Sequence, residues 1–365
     1  MIYMDYAATT PLCEAARKTI IENFDTFGNP SSIHALGNQS RVLIENARER
    51  IAKCINADPE YIYFTSGGSE ANTLALNNRH HSASTKFEHH SVVTTWPKIS
   101  ITKDGFIKVH KLNNMLSEWW ERPFDTMSCM YVNNEIGTIQ PIKELSTIAH
   151  RYGILLHTDA VQAMPYMHID VKDLECDMLS ASGHKFGAPK GVGFLYANAR
   201  SRIKPIINGG KQENSVRPGT ENVLGILAMA SALEDTIEHM DERNEYVKTL
   251  RDSLLDKLLQ IDGAHINGSL ENRTPGNINI RFDEVSGERL VSLCSLYGLC
   301  ISAGSACNEG IATPSHVLKA IGLSDSEALS SVRITLGHQN TEEDVNVAAD
   351  IITALIRRIR SDNES

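Results

Sequence analysis

The chain has 365 residues, 41% hydrophobic and 22% charged, with a formal net charge of −10. That is an ordinary globular composition, and a length that suits one large and one smaller domain better than a single small core. The acidic balance argues against a nucleic-acid or anionic-membrane surface, which needs clustered lysine and arginine.

In chain order, MIYMDYAATTP has neither the basic start nor the apolar stretch of a secretory signal, and no later apolar run approaches the ~18 residues of a membrane span. YIYFTSGGSEANTLAL (61–76) predicts a strand, a glycine turn and a helix. RHHSASTKFEHH (79–90) carries four histidines, but adjacent pairs on a loop and strand start converge poorly, so no metal site is expected. Trp119 and Trp120 in SEWWERP suit a covering helix face or an interface better than a base-stacking platform. MSCMYVNNEIGTIQPIKELSTIAHRYG (127–153) reads as strand, turn and a helix opened by Pro141 and closed by Gly153. GILLHTDAVQA (153–163) follows as a buried strand, and DMLSASGHKFGAPKGVGFLYAN (177–198) as two strands around a Gly/Pro turn.

Residues 223–260 predict one long helical stretch, followed by a second α+β segment. Its strands are PGNINIRF (275–282), LCISAG (299–304) and VRITLG (332–337), with a helix at GERLVSLCSLYG (287–298). TEEDVNVAADIITALIRRIR (341–360) predicts a terminal helix with Thr341 as N-cap and acids in its first turn. Alternating strand and helix implies an α/β fold with a largely parallel sheet and a site at the carboxyl ends of its strands. Seven cysteines, at 13, 54, 129, 176, 294, 300 and 307, are odd in number and form no CxxC pair, the pattern of a reduced, cytoplasmic chain. All but Cys307 read as packed residues.

The chemistry gathers at strand ends. Lys185 lies in a turn of small residues after an apolar strand, where desolvation can make its amine a nucleophile toward an aldehyde; a surface lysine is the plain alternative. Asp159 ends the buried strand ILLHTD and needs a cationic partner there. The pyridinium nitrogen of pyridoxal phosphate (PLP) is such a partner, because an acid beside it keeps the ring protonated as an electron sink. SGGSE (66–70) offers a phosphate cradle where glycines lead into a helix start, although Glu70 also suits ordinary first-turn capping. Cys307 in SAGSACNEG stands among residues too small to pack around it, which reads as a mobile, partly exposed loop.

Taken as an ordered series, MDYAATTP, FGNPSSIHALG, FTSGGSEAN, EHHSV, VNNEIGTIQPI, HTDAVQA, SGHKFGAPKGVG, GGKQENSVRPGTEN, SAGSACNEGIATPSHVLKAIG and SSVRITLG resemble the cysteine desulfurases of the NifS/IscS type. These are class V members of the fold-type I PLP enzymes, and the likeness runs nearly end to end. It implies a large PLP domain at 15–245 with a mostly parallel seven-stranded sheet between helices. A smaller α+β domain would be formed by 1–14 and 246–365 and carry the cysteine loop.

Residue by residue, Lys185 would hold the cofactor covalently and act as acid and base at the substrate Cα. Asp159 would pair with the ring nitrogen, Gln162 with the phenolic oxygen, and His89 would stack on the ring. Gly68, Ser69, Ser182 and His184 would hold the phosphate, with Thr220 reaching it from the other subunit of a homodimer. Asn134 and Arg333 would clamp the substrate carboxylate, which suits arginine's planar fork. Cys307 would accept sulfur from L-cysteine as a persulfide, leaving alanine, and pass it to an acceptor for Fe–S assembly or thiolation. No nucleic-acid or membrane partner is expected.

Within the resemblance, the chain looks shorter between Leu76 and Glu88 and stops soon after Arg360, without the tail some relatives use to dock a scaffold. The span from Cys307 to Pro314 matches the long-loop group. Competing readings are a selenocysteine lyase or another PLP β-eliminating lyase, a plain aminotransferase, which has no use for Cys307, and a non-catalytic scaffold.

Overall fold

The computed structural model describes residues 1–77, 81–92, 98–118, 124–303, 305–308 and 311–364, with backbone only for 305–308, 311–312 and 364. Trp119 and Trp120 lie outside the described residues, as does the side chain of Cys307.

The larger sheet has seven strands among the described residues. Their spatial order is Ile62–Thr65, Gly193–Ala197, Met178–Ser182, Leu155–Asp159, Thr126–Ser128, Ser82–Thr85 and Lys98–Ile99. Gly193–Ala197 pairs antiparallel with both neighbours, and every other pairing is parallel. The connection from Ser182 to Gly193 is too short for a parallel crossover, so it must turn the chain back on itself. The consequence for function is direct: Thr65, Ser182, Asp159, Ser128 and Thr85 all end at one edge of the sheet, and the loops leaving them carry the reactive side chains.

Helices cover this sheet because their apolar residues recur at helical spacing. In Ala35–Cys54 the buried positions Ser40, Ile44, Ala47 and Ile51 form one stripe. They join Ile142–Arg151 and Val223–Glu238 in one core with Leu145, Leu156 and Leu233, where each large aliphatic side chain contributes about 1.5–3 kcal/mol of burial. A second core lies on the antiparallel sheet Ser302–Ala303, Ser331–Thr335, Asn277–Phe282, Ala264–Ile266. It is packed by Met240–Leu258, Gly287–Leu296 and Glu342–Glu364 through residues such as Leu250, Ile280, Ile334 and Ile352. Met4 belongs to this second core, tied there by the pairing of Ile2–Tyr3 with Leu299–Cys300. Thr341 caps the terminal helix, its hydroxyl accepting the Asp344 N–H at 3.1 Å while the Asp344 carboxylate accepts the Thr341 N–H at 3.0 Å.

Two expectations are corrected. The stretch 223–260 is two helices, Val223–Glu238 and Met240–Leu258, interrupted at His239 (φ −108°, ψ 9°). The first buries Ile226 and Leu233 in the large core and the second buries Val247 and Leu254 in the other. One straight helix cannot aim its apolar stripe at both, so the chain breaks and the Arg243–Asp235 ion pair (2.8 Å) spans the junction. LCISAG is likewise two short strands, Leu299–Cys300 and Ser302–Ala303, because each half pairs with a different partner.

The segment GGKQENSVRPGTEN (209–222) contains three consecutive non-glycine residues with positive φ, Glu213 (46°), Asn214 (54°) and Ser215 (66°). Such a run needs outside support. Buried Glu213 supplies it by accepting two hydrogen bonds from Arg48 (2.7 and 2.8 Å) and the Phe64 N–H (2.8 Å). The Arg48 guanidinium also lies 4.6 Å from the Phe64 ring centre. Glu213→Ala leaves a buried guanidinium without its main counter-ion, an expected loss of about 3 kcal/mol, read as a lower urea midpoint. An unchanged midpoint would show that the pair does not hold this loop.

Candidate active site

At the carboxyl edge of the sheet lies a cavity of about 310 Å³. Among the candidate site residues whose side chains are described, all but Thr220 line it. Thr220 is exposed on its loop. Cys307 sits in the hairpin Ser305–Asn308 and Ile311–Pro314, opposite Ala312.

Lys185 enters from the turn Gly183–Lys185 that follows Met178–Ser182. Gly183 is required there, because a Cβ would come within 2.9 Å of the Ala188 Cβ and 3.2 Å of Val192. The Lys185 Nζ donates to the carbonyls of Ala7 and Ala8, both at 2.7 Å, which aims the amine into the cavity. Burial, then the nearby Arg333 charge, pushes its pKa down to about 8, with Asp159 and Asp5 opposing. A far larger share of this amine is therefore neutral at physiological pH than of a solvated lysine. His184 beside it is pushed down to about 4 by burial and by Lys185 and Lys190, so its imidazole is neutral; Nδ1 lies 3.1 Å from the Thr9 hydroxyl.

Asp159 ends its strand with the carboxylate buried. Burial raises its pKa, against hydrogen bonds from Asn72 Nδ2 (2.7 Å) and the Val161 N–H (3.0 Å). Among the described residues it makes no ion pair. Asn72 also donates to the Ser91 hydroxyl (2.9 Å), which lies 2.7 Å from His89 Nδ1. Since Nδ1 also accepts the Ser91 N–H (3.1 Å), the neutral ring carries its proton on Nε2. Burial holds His89 below the ordinary histidine value. The chain Asp159–Asn72–Ser91–His89 thus fixes both the acid and the imidazole.

The glycine turn opens helix Gly68–Leu76, with Gly68 and Ser69 in its first turn. Gly67 has φ +152°, and a Cβ on Gly68 would lie 2.6 Å from Val161 Cγ2 and 3.4 Å from the Ser182 Cβ. Only glycine lets the helix start come this close to the wall while its first N–H groups face the cavity. Glu70 does cap, accepting the Ser66 N–H at 2.6 Å, and it also binds Arg217 at 2.8 Å, tying the helix to the 209–222 loop.

Arg333 projects from Ser331–Thr335. Its Nη1 donates to the Asn134 carbonyl (3.0 Å), and its Nη2 to Asp5 (2.8 Å) and the Ser302 hydroxyl (3.2 Å). Its buried Nε has no hydrogen-bond partner among the described residues. The Asn134 contact is thus made by its main chain. Gln162 spends one amide N–H on the Ala7 carbonyl (2.8 Å), leaving the other. Sequence reasoning passed over Asp5, Asn72 and Ser91, although each stands in a quoted motif. Of the other cysteines, Cys129, Cys176 and Cys294 are buried as expected, whereas Cys13, Cys54 and Cys300 are only partly covered.

A sheet of this order, delivering a lysine and an aspartate from neighbouring strands to a glycine-opened helix start, defines the fold-type I architecture of PLP-dependent enzymes. A family model described as aminotransferase class-V matches residues 2–347. The chain is 41% identical to "Cysteine desulfurase IscS" of Dictyoglomus turgidum, over 99% of this chain and 95% of that one. It is 39% identical to "Cysteine desulfurase IscS" of Methanosarcina thermophila, over 99% and 93%. The X-ray structure of a NifS-like protein from Rickettsia africae superposes with a TM-score of 0.90 at 30% identity, covering 99% of each chain. The chain belongs to the class-V aminotransferase family, PLP-dependent enzymes, and within it is of the NifS/IscS cysteine desulfurase type.

The residues present fit that cofactor. A buried carboxylate with no ion pair among the described residues suits a ring N–H, the helix start at Gly68 and Ser69 on the cavity wall suits phosphate, and Lys185 is a desolvated amine.

Proposed function

We propose that this protein converts L-cysteine to L-alanine and takes the sulfur onto Cys307 as a persulfide, to be passed to an acceptor protein for Fe–S cluster assembly or thiolation. The observation that carries this reading is one cavity lined by an amine of lowered pKa, a buried carboxylate with no ion pair among the described residues, and Arg333. Strand Ser302–Ala303, whose Ser302 hydroxyl binds Arg333, leads directly to Cys307. Five residues span at most about 17 Å, so the thiol is tethered within reach of whatever Arg333 holds.

The bound PLP supplies an electron sink for the electrons released at the substrate Cα. Lys185 holds it covalently and moves the proton at Cα, its neutral form being accessible near pH 8. Asp159 keeps the ring nitrogen protonated. His89, set by Ser91, would pack on the bound cofactor, and Gln162 would hydrogen-bond it. Gly68, Ser69, Ser182 and His184 hold the phosphate. Arg333 and Asn134 orient the substrate carboxylate. The Cys307 thiolate then attacks the substrate sulfur: the S–S bond forms, the C–S bond breaks, and its electron pair stays with carbon, which gains a proton to become the alanine methyl group.

In the same reading, residues 15–245 form the PLP domain, while 1–14 and 246–365 form the smaller one. The working unit is a cytoplasmic homodimer in which Thr220, exposed on the loop pinned by Glu213, reaches the phosphate of the other subunit's site.

Cys307→Ala tests the sulfur step. Alanine production from L-cysteine should fall by at least about 10²-fold while the cofactor stays bound. Full sulfide release by the variant, with pyruvate and ammonia in place of alanine, would favour a β-eliminating lyase, and failure of the wild-type chain to take up PLP a scaffold.

A further inference from the structure

Glu135 is a partly buried acid that neither lines the cavity nor takes part in the mechanism above. Its position is set by its main chain. The Glu135 N–H donates to Asn133 Oδ1 (2.9 Å), and its carbonyl accepts from Asn277 (3.1 Å) and Asn279 (3.2 Å) of the smaller sheet. Its side chain turns to the outgoing foot of the Cys307 hairpin, where Oε2 accepts the Ser315 hydroxyl proton at 2.5 Å. That hydroxyl also accepts the N–H groups of Val317 (3.1 Å) and Leu318 (3.2 Å), so its only proton goes to the carboxylate. One residue on, His316 Nε2 donates to the Glu88 carbonyl (2.8 Å), immediately before His89.

The incoming foot is held as well, since Ser302 and Ala303 pair with Arg333 and Val332. Both feet are therefore fastened beside the carboxylate clamp, one through Arg333 and the other through the residue after Asn134.

We propose that Glu135 is a positioning residue for sulfur transfer: through Ser315 it fixes the base of the hairpin that presents Cys307, and it does not act in the steps that precede transfer. This role rests on Cys307 being the sulfur acceptor. Attack on sulfur needs near-contact and alignment, and a displacement of about 1 Å can cost about 10²-fold. A loosened foot should therefore slow transfer selectively.

The test uses PLP-loaded Glu135→Ala, Ser315→Ala and Glu135→Gln chains mixed with L-cysteine. Cofactor absorbance follows the early steps, and mass analysis of quenched samples follows persulfide on Cys307. Glu135→Ala and Ser315→Ala should keep the early absorbance change within about twofold of wild type and slow persulfide formation about 10- to 100-fold. Glu135→Gln retains an acceptor for Ser315 and should recover most of the rate. Equal slowing of both signals, as a general loss of folding would give, or no slowing of persulfide formation, overturns the role. Absence of persulfide in the wild-type chain instead overturns the functional reading beneath it, and this role with it.

Discussion

Replacing Lys185 by alanine is expected to lower alanine formation by at least about 10³-fold, because it removes both the covalent hold on the cofactor and the group that moves the Cα proton. The fold should survive, since the lysine amine's hydrogen bonds go to two carbonyls, of Ala7 and Ala8, that border the cavity. The intact lysine gives the matching pH prediction. Its neutral form reacts, and that form predominates above its pKa. Burial and Arg333 place that value at about 8, so cofactor uptake by the cofactor-free chain should rise with pH, pass its half-maximum near 8 and level off by roughly pH 9–10. Uptake that keeps climbing past pH 10 would mean that the amine is ordinarily solvated.

The second large effect belongs to Asp159. Asp159→Asn is nearly isosteric, and its amide oxygen can still accept from Asn72 or Val161. The variant should therefore fold and bind PLP, but it can no longer hold the ring nitrogen protonated. A loss of about 10²–10⁴-fold in turnover is expected, with a smaller change in KM, because the missing charge matters most when electrons flow into the ring. A turnover within about threefold of wild type would remove Asp159 from the chemistry.

The parts of the site that were legible in the sequence share one property. Asp159 and Lys185 each end an apolar run, and a charged residue at the end of a buried strand announces a partner by its cost. Gly67 and Gly68 were legible for the complementary reason, that two glycines before a helix start mark a close approach. Asp5, Asn72 and Ser91 gave no such signal. Asp5 matters only because it meets Arg333, 328 positions away, and Asn72 only because it meets Asp159, 87 positions away. These are meetings made by the sheet, not by local pattern. The break at His239 was hidden for a similar reason: the apolar period continues through it, and only the existence of two cores tells which way each stripe points. Glu135 was quoted within VNNEIGTIQPI, yet its meeting with Ser315 joins residues 180 positions apart.

Passage of sulfur through Cys307 is the step that distinguishes this chemistry from simple elimination. PLP-loaded protein given L-cysteine for less than one turnover, then quenched and digested, should show the Cys307 peptide heavier by one sulfur. A thiol reductant should remove that mass, and one alanine should appear for each sulfur gained. Alanine or free sulfide formed while the Cys307 peptide stays unmodified would contradict it.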